Sequence, residues 1–137
     1  MLTRAGIGCW VLTSAALPER MLPGWDPGHV AHLTRCVRRS YRLDLVEPGD
    51  PVLLWCSGRV DPGVHAVGTV TGLDPGALEV GVRWTRLADP VPRGALLADP
   101  VARTAEVLRM PAGSNPSWLS PAQWAAVQDL SPTAART

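Results

Sequence analysis

The alternation of apolar and polar residues predicts an antiparallel sheet in the middle of the chain. Residues 52–55 are continuously apolar, which is typical of a strand buried on both faces. In residues 78–85 apolar and polar positions alternate strictly, which is typical of a strand with one solvated face. Asp-Pro-Gly turns at residues 61–63 and 74–76 connect these two segments to a strand at residues 64–71. The three strands are predicted to form a meander.

The two ends of the chain predict one further strand and one helix. Residues 8–14 have an apolar centre and form the first predicted strand. Near the other end, Ser120 is a candidate N-cap, Pro121 suits the first helical position, and Gln123 completes a capping box. Apolar residues then recur at helical spacing, so this closing helix is expected to pack against the sheet.

Shorter elements are predicted between these segments. Asp26 as N-cap and Pro27 at the first helical position predict a short helix that ends near Arg35. Residues 93–98 are predicted to form one helical turn, and residues 101–109 fit either a strand or a helix. Because strands and short helices alternate irregularly, the predicted fold class is α+β, with a curved, barrel-like sheet.

Length and hydrophobicity favour a single domain, residues 1–137, with a core at about residues 8–130 and a flexible tail at 131–137. Hydrophobic residues make up 46% of the chain, but no apolar run approaches the ~20 residues that cross a bilayer. The N-terminus has no sustained apolar region of the kind found in signal peptides. We therefore expect a cytoplasmic protein that does not contact a membrane.

The charge pattern restricts the nucleic-acid partners that the chain is expected to bind. Its net charge is only +1 and its 13 basic residues are all arginine, which disfavours a sequence-blind, salt-driven nucleic-acid binder. A protein that holds one base and a few phosphates remains compatible with this charge. Six tryptophans can stack on planar ligands, although most of them are expected in the core.

Four arginines form a candidate phosphate-binding face, because their spacing of i, i+3, i+4 and i+7 would place them on one side of a helix. They are Arg35, Arg38, Arg39 and Arg42. Guanidinium groups suit phosphates and also stack on bases. The alternative is an ordinary solvated face in which these arginines pair with Asp44 and Glu47.

Metal binding and catalysis are both disfavoured. A histidine and cysteine pattern at helical spacing would need a fourth ligand from Cys9 or Cys56, and no Cys-x-x-Cys pair is present. The pattern consists of His29, His32 and Cys36. Cys56 opposite His65 could act as a nucleophile, but no carboxylate can be assigned to orient the histidine. We expect no metal, no cofactor and no enzymatic activity, with the thiols reduced.

A polar turn at residues 111–117 is a further candidate for ligand contact. Asn115 has both a donor and an acceptor and can match the edge of a base. The alternative is that Gly-Ser-Asn-Pro is ordinary turn chemistry. Its position between an apolar segment and a tryptophan slightly favours a role in a pocket.

Taken in order, several segments resemble the EVE domain, a relative of the YTH and PUA domains, over about residues 9–130. They include Cys9-Trp10-Val-Leu-Thr-Ser14, Val37-Arg38-Arg39-Ser40-Tyr41-Arg42, Pro48-Gly49-Asp50 leading into Val52-Leu-Leu-Trp-Cys-Ser57, Val67-Gly68-Thr69-Val70, Val82-Arg83-Trp84 followed by Asp89-Pro-Val-Pro92, and Leu119-Ser120-Pro-Ala-Gln-Trp124. The resemblance implies a PUA-like pseudobarrel of mixed and antiparallel strands with short flanking helices.

The resemblance also implies a pocket for a modified nucleobase of DNA or RNA, with the four arginines on the flanking phosphates and a partner effector protein that acts on the base. The implied pocket residues are Trp10, Thr13, Ser14, Trp25, Ser40, Tyr41, Trp55, Ser57, Asn115 and Ser117. Among these, Trp25 would replace an aromatic residue that the family places where this chain has Thr34 and Arg35. The alternative function is a protein-interaction or small-metabolite module of the same fold that does not bind nucleic acid.

Overall fold

The computed structural model describes residues 1–110 and 115–131. In this part the chain forms the strands β1 (Cys9–Ser14), β2 (Val30–Cys36), β3 (Pro51–Cys56), β4 (Gly63–Asp74), β5 (Glu79–Pro92) and β6 (Ser117–Leu119). The α-helices are α1 (Pro18–Met21), α2 (Arg93–Ala98), α3 (Glu106–Arg109) and α4 (Pro121–Leu130). Short 3-10 turns lie at Arg4–Gly6, Tyr41–Leu45 and Ala102–Thr104.

The strands form one mixed sheet in the order β2-β5-β4-β3-β1-β6. β1 and β3 are parallel, in a register that runs from Trp10 opposite Val52 to Ser14 opposite Cys56. Every other neighbouring pair is antiparallel, including the predicted meander of β3, β4 and β5. The predicted α+β fold class with a PUA-like sheet is confirmed. Because β1 and β3 are parallel, their carboxyl ends meet at one edge of the sheet.

Both faces of the central strands are buried. One face packs in a barrel cluster that includes Trp10, Leu54 and Trp84. The other face packs in a helix-side cluster that includes Trp55, from β3, and Val127, from α4. Side chains alternate between faces along a strand, so each central strand contributes to both clusters. This confirms the prediction that residues 52–55 form a strand buried on both sides.

Hydrogen bonds bring the end of the edge strand β2 back to β1 and curve the sheet into a barrel. Arg35 Nη2 donates to the Thr13 carbonyl oxygen over 2.8 Å. Asn115 Nδ2 donates to the Cys36 carbonyl oxygen over 2.9 Å, and the Arg38 N–H donates to the Asn115 carbonyl oxygen over 2.7 Å. Arg35 and Asn115 therefore close the barrel between strands that are not neighbours in the sheet.

The predicted helix from Asp26 to Arg35 is wrong. The His29 N–H donates to the Asp26 carbonyl oxygen in a turn, after which β2 pairs with β5 through seven residues. Ala31 is buried and His32 is exposed, as expected for alternation along a strand. Pairing with the long strand β5 outweighs the local preference of the Asp-Pro start.

The remaining helical predictions agree with the structure. Residues 93–98 form α2, and residues 101–109 are helical rather than extended, because they contain a 3-10 turn and α3. At the start of α4, the Gln123 N–H donates to Ser120 Oγ over 3.1 Å, and the Ser120 N–H donates to Gln123 Oε1 over 2.8 Å. The predicted capping box is confirmed.

The division of the chain into a single domain stays a prediction. Ser131, where the predicted flexible tail begins, is buried, and its N–H donates to the Gln128 carbonyl oxygen. Residues 132–137 of that tail lie outside the described residues. No helix in the described part of the chain is long and apolar enough to span a membrane.

Candidate functional site

A cleft lies at the edge of the sheet where the parallel strands β1 and β3 end. Its volume is about 230 Å³, and we call it the β1/β3 cleft. It is lined by Trp55, Ser57, Gly58, Pro62, Arg93 and Val107. The lining combines one aromatic ring, an exposed hydroxyl and a guanidinium, and it comes from β3, the following loop, α2 and α3.

Thr13 and Trp55 are register partners at the carboxyl ends of β1 and β3. Thr13 lies two residues after Val11, so its side chain projects to the same helix-side face as Val11 and Trp55. The Thr13 hydroxyl makes no hydrogen bond within the described part of the chain. Trp55 is only 3% exposed and forms an inner wall of the cleft.

The two serines of this edge differ in what they can offer a ligand. Ser14 Oγ donates to the Ala16 carbonyl oxygen over 2.8 Å and accepts from the Ala16 N–H over 3.1 Å, so it fixes the turn after β1. Ser57 is exposed, and its Oγ has one long contact of 3.4 Å with the Ser14 carbonyl oxygen. Ser57 is thus the serine that can exchange its contact for a ligand.

Two tryptophans of the predicted pocket lie on the opposite side of the sheet from Trp55. Trp10 and Trp25 belong to the barrel cluster and are 1% and 3% exposed. Trp10 Nε1 donates to Asp50 Oδ2 over 2.9 Å, and Trp25 Nε1 donates to the His29 carbonyl oxygen over 2.9 Å. Both rings are satisfied core residues, and the structure does not bring them to the cleft.

The predicted arginine face is not formed. Arg35 lies at the end of β2 and Arg42 in a 3-10 turn, because the segment between them is not helical. Arg42 holds both carboxylate oxygens of Glu106 over 2.7 and 2.8 Å, and not Asp44 or Glu47. Two members of the predicted face, Arg38 and Arg39, are exposed, with side chains that have no partner in the described residues.

Three other predicted pocket residues make hydrogen bonds within the protein. Ser40 Oγ accepts from the Arg42 N–H over 3.2 Å and caps the turn Tyr41–Leu45. Tyr41 Oη accepts from the Leu2 N–H over 3.1 Å. Ser117 Oγ donates to Glu106 Oε1 over 2.8 Å. Asn115 closes the barrel as described above, and the other part of its predicted polar turn, residues 111–114, lies outside the described residues.

Two carboxylates near the barrel ends are stabilised in their charged form. The hydrogen bonds from Arg42 are the main reason why the pKa of Glu106 lies below its ordinary value, and burial opposes them. For Asp50, burial is the largest influence and raises the pKa. Hydrogen bonds from Arg4, from the Glu47 N–H and from Trp10 together outweigh that burial and lower the pKa of Asp50 overall. Both carboxylates therefore remain charged at neutral pH and hold their arginine partners.

Cys56 and His65 do not contact each other as a nucleophile and its general base would. Burial is the main reason why the pKa of the Cys56 thiol rises to about 12, and its Sγ lies 3.5 Å from the Ala16 carbonyl oxygen. His65 Nε2 instead lies 2.6 Å from the Asp61 carbonyl oxygen. Within residues 1–110 and 115–131, no group of three His, Cys, Asp or Glu side chains is placed to hold a metal ion.

Sequence reasoning missed most of the loop side of the cleft. Arg93 follows a proline at the start of a short helix, and nothing in the local pattern distinguishes it from other surface arginines. A usable signal was the Ser-Gly-Arg segment directly after a buried strand, because loops at strand ends often carry binding residues. Pro62 and Val107 join the site only through the tertiary fold.

Comparison with solved structures places this fold among small proteins of similar size. The chain is similar to a hypothetical protein from Leishmania major, with 15% identity, a TM-score of 0.67, and coverage of 90% of this chain and 94% of that one. A protein from Rhodopseudomonas palustris matches with 14% identity and a TM-score of 0.65, covering 92% and 94% of the two chains. A Pseudomonas putida protein matches with 16% identity and a TM-score of 0.62, covering 89% and 98%.

These likenesses establish the fold alone, because all three identities are low. No protein-family model matches the chain, and no curated protein matches it. The class that the fold defines is therefore a small α+β domain with a mixed sheet, and the ligand has to be inferred from the site.

Proposed function

We propose that the protein is a non-catalytic module that binds a modified nucleobase of DNA or RNA in the β1/β3 cleft. The observation that carries this proposal is the meeting of Thr13, Trp55 and Ser57 where two parallel strands end. The EVE resemblance adds support, since it implies a base pocket that includes these three residues. The base would be flipped out or single-stranded when it binds.

The size and lining of the cleft fit one base better than a larger ligand. Its volume of about 230 Å³ is below the ~300–1,000 Å³ typical of pockets for drug-sized ligands. Unstacking a base costs a few kcal/mol, and contact with an aromatic ring returns ~1–3 kcal/mol. Trp55 is only 3% exposed and would supply part of this contact where it lines the cleft.

The hydroxyls of Ser57, which lines the cleft, and of Thr13, which lies beside Trp55 in the strand register, would contact the edge of the base. A hydroxyl both donates and accepts, so it can match either kind of atom on that edge. Ser14, Ser40, Tyr41, Asn115 and Ser117 are already engaged in hydrogen bonds within the protein. The raised pKa of Cys56 favours binding without covalent chemistry.

A second function is favoured by the net charge of +1, which is low for a nucleic-acid binder. In this alternative the same cleft holds a small planar metabolite and no polynucleotide. Salt separates the two functions, because only an interaction with phosphates weakens steeply as the salt concentration rises.

The substitution Thr13→Val tests the proposal, because it removes the hydroxyl and keeps the shape of the side chain. Affinity would be measured by tryptophan fluorescence with oligonucleotides that carry methylated or hydroxymethylated bases and with their unmodified parents. We expect a loss of about tenfold, as for a hydrogen bond worth ~1–3 kcal/mol.

Thr69→Val is the matched control, because Thr69 is exposed on β4 and pairs with Pro51 at the opposite end of β3. Equal affinity of the Thr13→Val variant and the unsubstituted protein would contradict a role of this hydroxyl. Equal affinity for modified and unmodified oligonucleotides would contradict the proposal that the protein recognises a base modification.

A further inference from the structure

We infer that the phosphates on either side of the bound base are held by Arg20, Arg59 and Arg93, and not by the segment 35–42. This inference rests on the proposed function. It assigns the nucleic-acid contact to a loop, residues 57–62, that connects β3 to β4 beside the β1/β3 cleft.

The three guanidiniums surround this loop. Arg20 and Arg59 line an open groove of about 550 Å³ that continues along residues 15–17 and 58–60. Arg93 lines the β1/β3 cleft on the other side of the loop, and Gly58 belongs to the lining of both depressions. A strand whose base enters the β1/β3 cleft would therefore meet positive charge on both sides of that base.

All three side chains are exposed, and none makes a hydrogen bond or an ion pair within the described residues. In the segment 35–42, Arg42 is already paired with Glu106 and Arg35 donates to the Thr13 carbonyl oxygen. Arg38 and Arg39 also have no side-chain partner in the described residues, but neither lines the cleft or the groove.

The acidic residue of the groove, Glu19, lies 3.2 Å from Arg86 Nη2, so its charge is compensated. Asp61 of the loop also carries a negative charge, so the three arginines leave this edge of the sheet with a smaller but still positive charge for a phosphate.

The loop is held in place before any ligand arrives. The Ser57 N–H donates to the Ser14 carbonyl oxygen over 2.9 Å, and the Arg93 N–H donates to the Pro62 carbonyl oxygen over 2.9 Å. A Cβ atom added to Gly58 would lie 2.9 Å from the Ala15 carbonyl oxygen, so the loop packs tightly against the turn after β1. A preorganised loop loses less conformational entropy when it binds.

The experiment measures how the dissociation constant depends on salt. The ligands are short single-stranded oligonucleotides with one methylated cytosine or one methylated adenine, and the corresponding free nucleosides serve as a phosphate-free comparison. Three phosphate contacts on a single strand predict a slope of about −2 for the logarithm of the association constant against the logarithm of salt.

We expect Arg59→Gln to reduce the magnitude of this slope by about 0.7 and to weaken oligonucleotide binding by about 3–10-fold at low salt. Its affinity for the free nucleoside should stay unchanged. Arg83→Gln is the matched control, because Arg83 is exposed and without a side-chain partner in the described residues. Arg83 is the register partner of Thr69, and Thr69 is the register partner of Pro51 at the start of β3. Arg83 therefore lies at the end of the sheet away from the β1/β3 cleft.

The inference is overturned if Arg59→Gln keeps the full slope while the double substitution of Arg38 and Arg39 by Gln reduces it. In that case base binding, and with it the proposed function, would still stand. If neither the oligonucleotides nor the nucleosides bind the unsubstituted protein, both the proposed function and this inference are wrong.

Discussion

Glu106 shows how a single carboxylate determines the role of several predicted ligand residues. It accepts two hydrogen bonds from Arg42 and one from Ser117. The same Arg42 also donates to the Pro116 carbonyl oxygen over 3.0 Å. An arginine and a serine that suggested phosphate and base contacts instead tie the turn Tyr41–Leu45 to α3 and β6. The sequence could not predict this, because 64 positions separate Arg42 from Glu106.

At the residue scale, we predict a loss of stability in acid that depends on Glu106. The pKa of Glu106 is lower in the folded chain than the ordinary value of ~4.3 expected after unfolding. The unfolded chain therefore binds more protons in acid. The resulting stabilisation is fully present above about pH 4.3 and is lost as the pH falls through the folded pKa; Asp50 contributes with the same sign.

Urea unfolding at a series of pH values would measure this effect. Glu106→Gln should lower the free energy of unfolding at pH 7 by ~1–3 kcal/mol, since Arg42 loses its charged partner. The variant should also lose less stability in acid. Glu79→Gln is the control, because Glu79 has no side-chain partner in the described residues. Identical pH profiles for Glu106→Gln and the unsubstituted protein would contradict the assignment.

At the scale of elements, patterns that depend on neighbours in sequence predicted the structure well. The alternation that predicted β5 and the capping box of α4 are local signals, and both elements are present. β2 was mistaken for a helix because Asp-Pro is a strong local start signal, whereas the strand forms through pairing with β5. The alternation of apolar and polar residues in Ala31-His32-Leu33-Thr34 was a usable counter-signal in the sequence.

Two glycines of β4 provide a test of how tightly β4 and β5 pack. A Cβ atom at Gly68 would lie 2.3 Å from the Arg83 carbonyl oxygen, whereas a Cβ atom at Gly72 would meet nothing within 4 Å. Gly68→Ala should therefore lower the free energy of unfolding by more than ~2 kcal/mol, because backbone atoms must move apart.

Gly72→Ala, on the same strand, should change the free energy of unfolding by less than ~1 kcal/mol. Urea denaturation of the two variants gives the comparison directly. Equal effects of the two substitutions would show that the spacing between β4 and β5 does not require Gly68.

At the scale of the whole molecule, the site depends on one pairing that sequence patterns do not reveal. The parallel register of β1 with β3 places Thr13 beside Trp55, although 42 positions separate them. The same register puts Trp10 in the barrel cluster and Trp55 in the helix-side cluster. The fold class and most elements were therefore predictable, whereas the division of the tryptophans between two clusters required the tertiary structure.

Only the whole structure shows which arginines are paired with carboxylates and which are not. Arg4 and Arg42 are held by carboxylates at the barrel ends, and Arg86 pairs with Glu19. The side chains of Arg20, Arg59 and Arg93, around the loop 57–62, have no partner in the part of the chain that the structure describes. A net charge near zero can therefore coexist with positive charge around the loop 57–62. The proposed binding of one base with its flanking phosphates requires such a local charge.

The most direct test of the central claim is an NMR titration of the ¹⁵N-labelled protein with a single-stranded oligonucleotide that carries one modified base. The account predicts saturable shifts of the Thr13, Ser57, Gly58 and Arg93 amides and of the Trp55 indole, with little change for the unmodified oligonucleotide. Saturable shifts confined to the far end of the sheet around Thr69 and Arg83, or no shifts with any modified base, would contradict it.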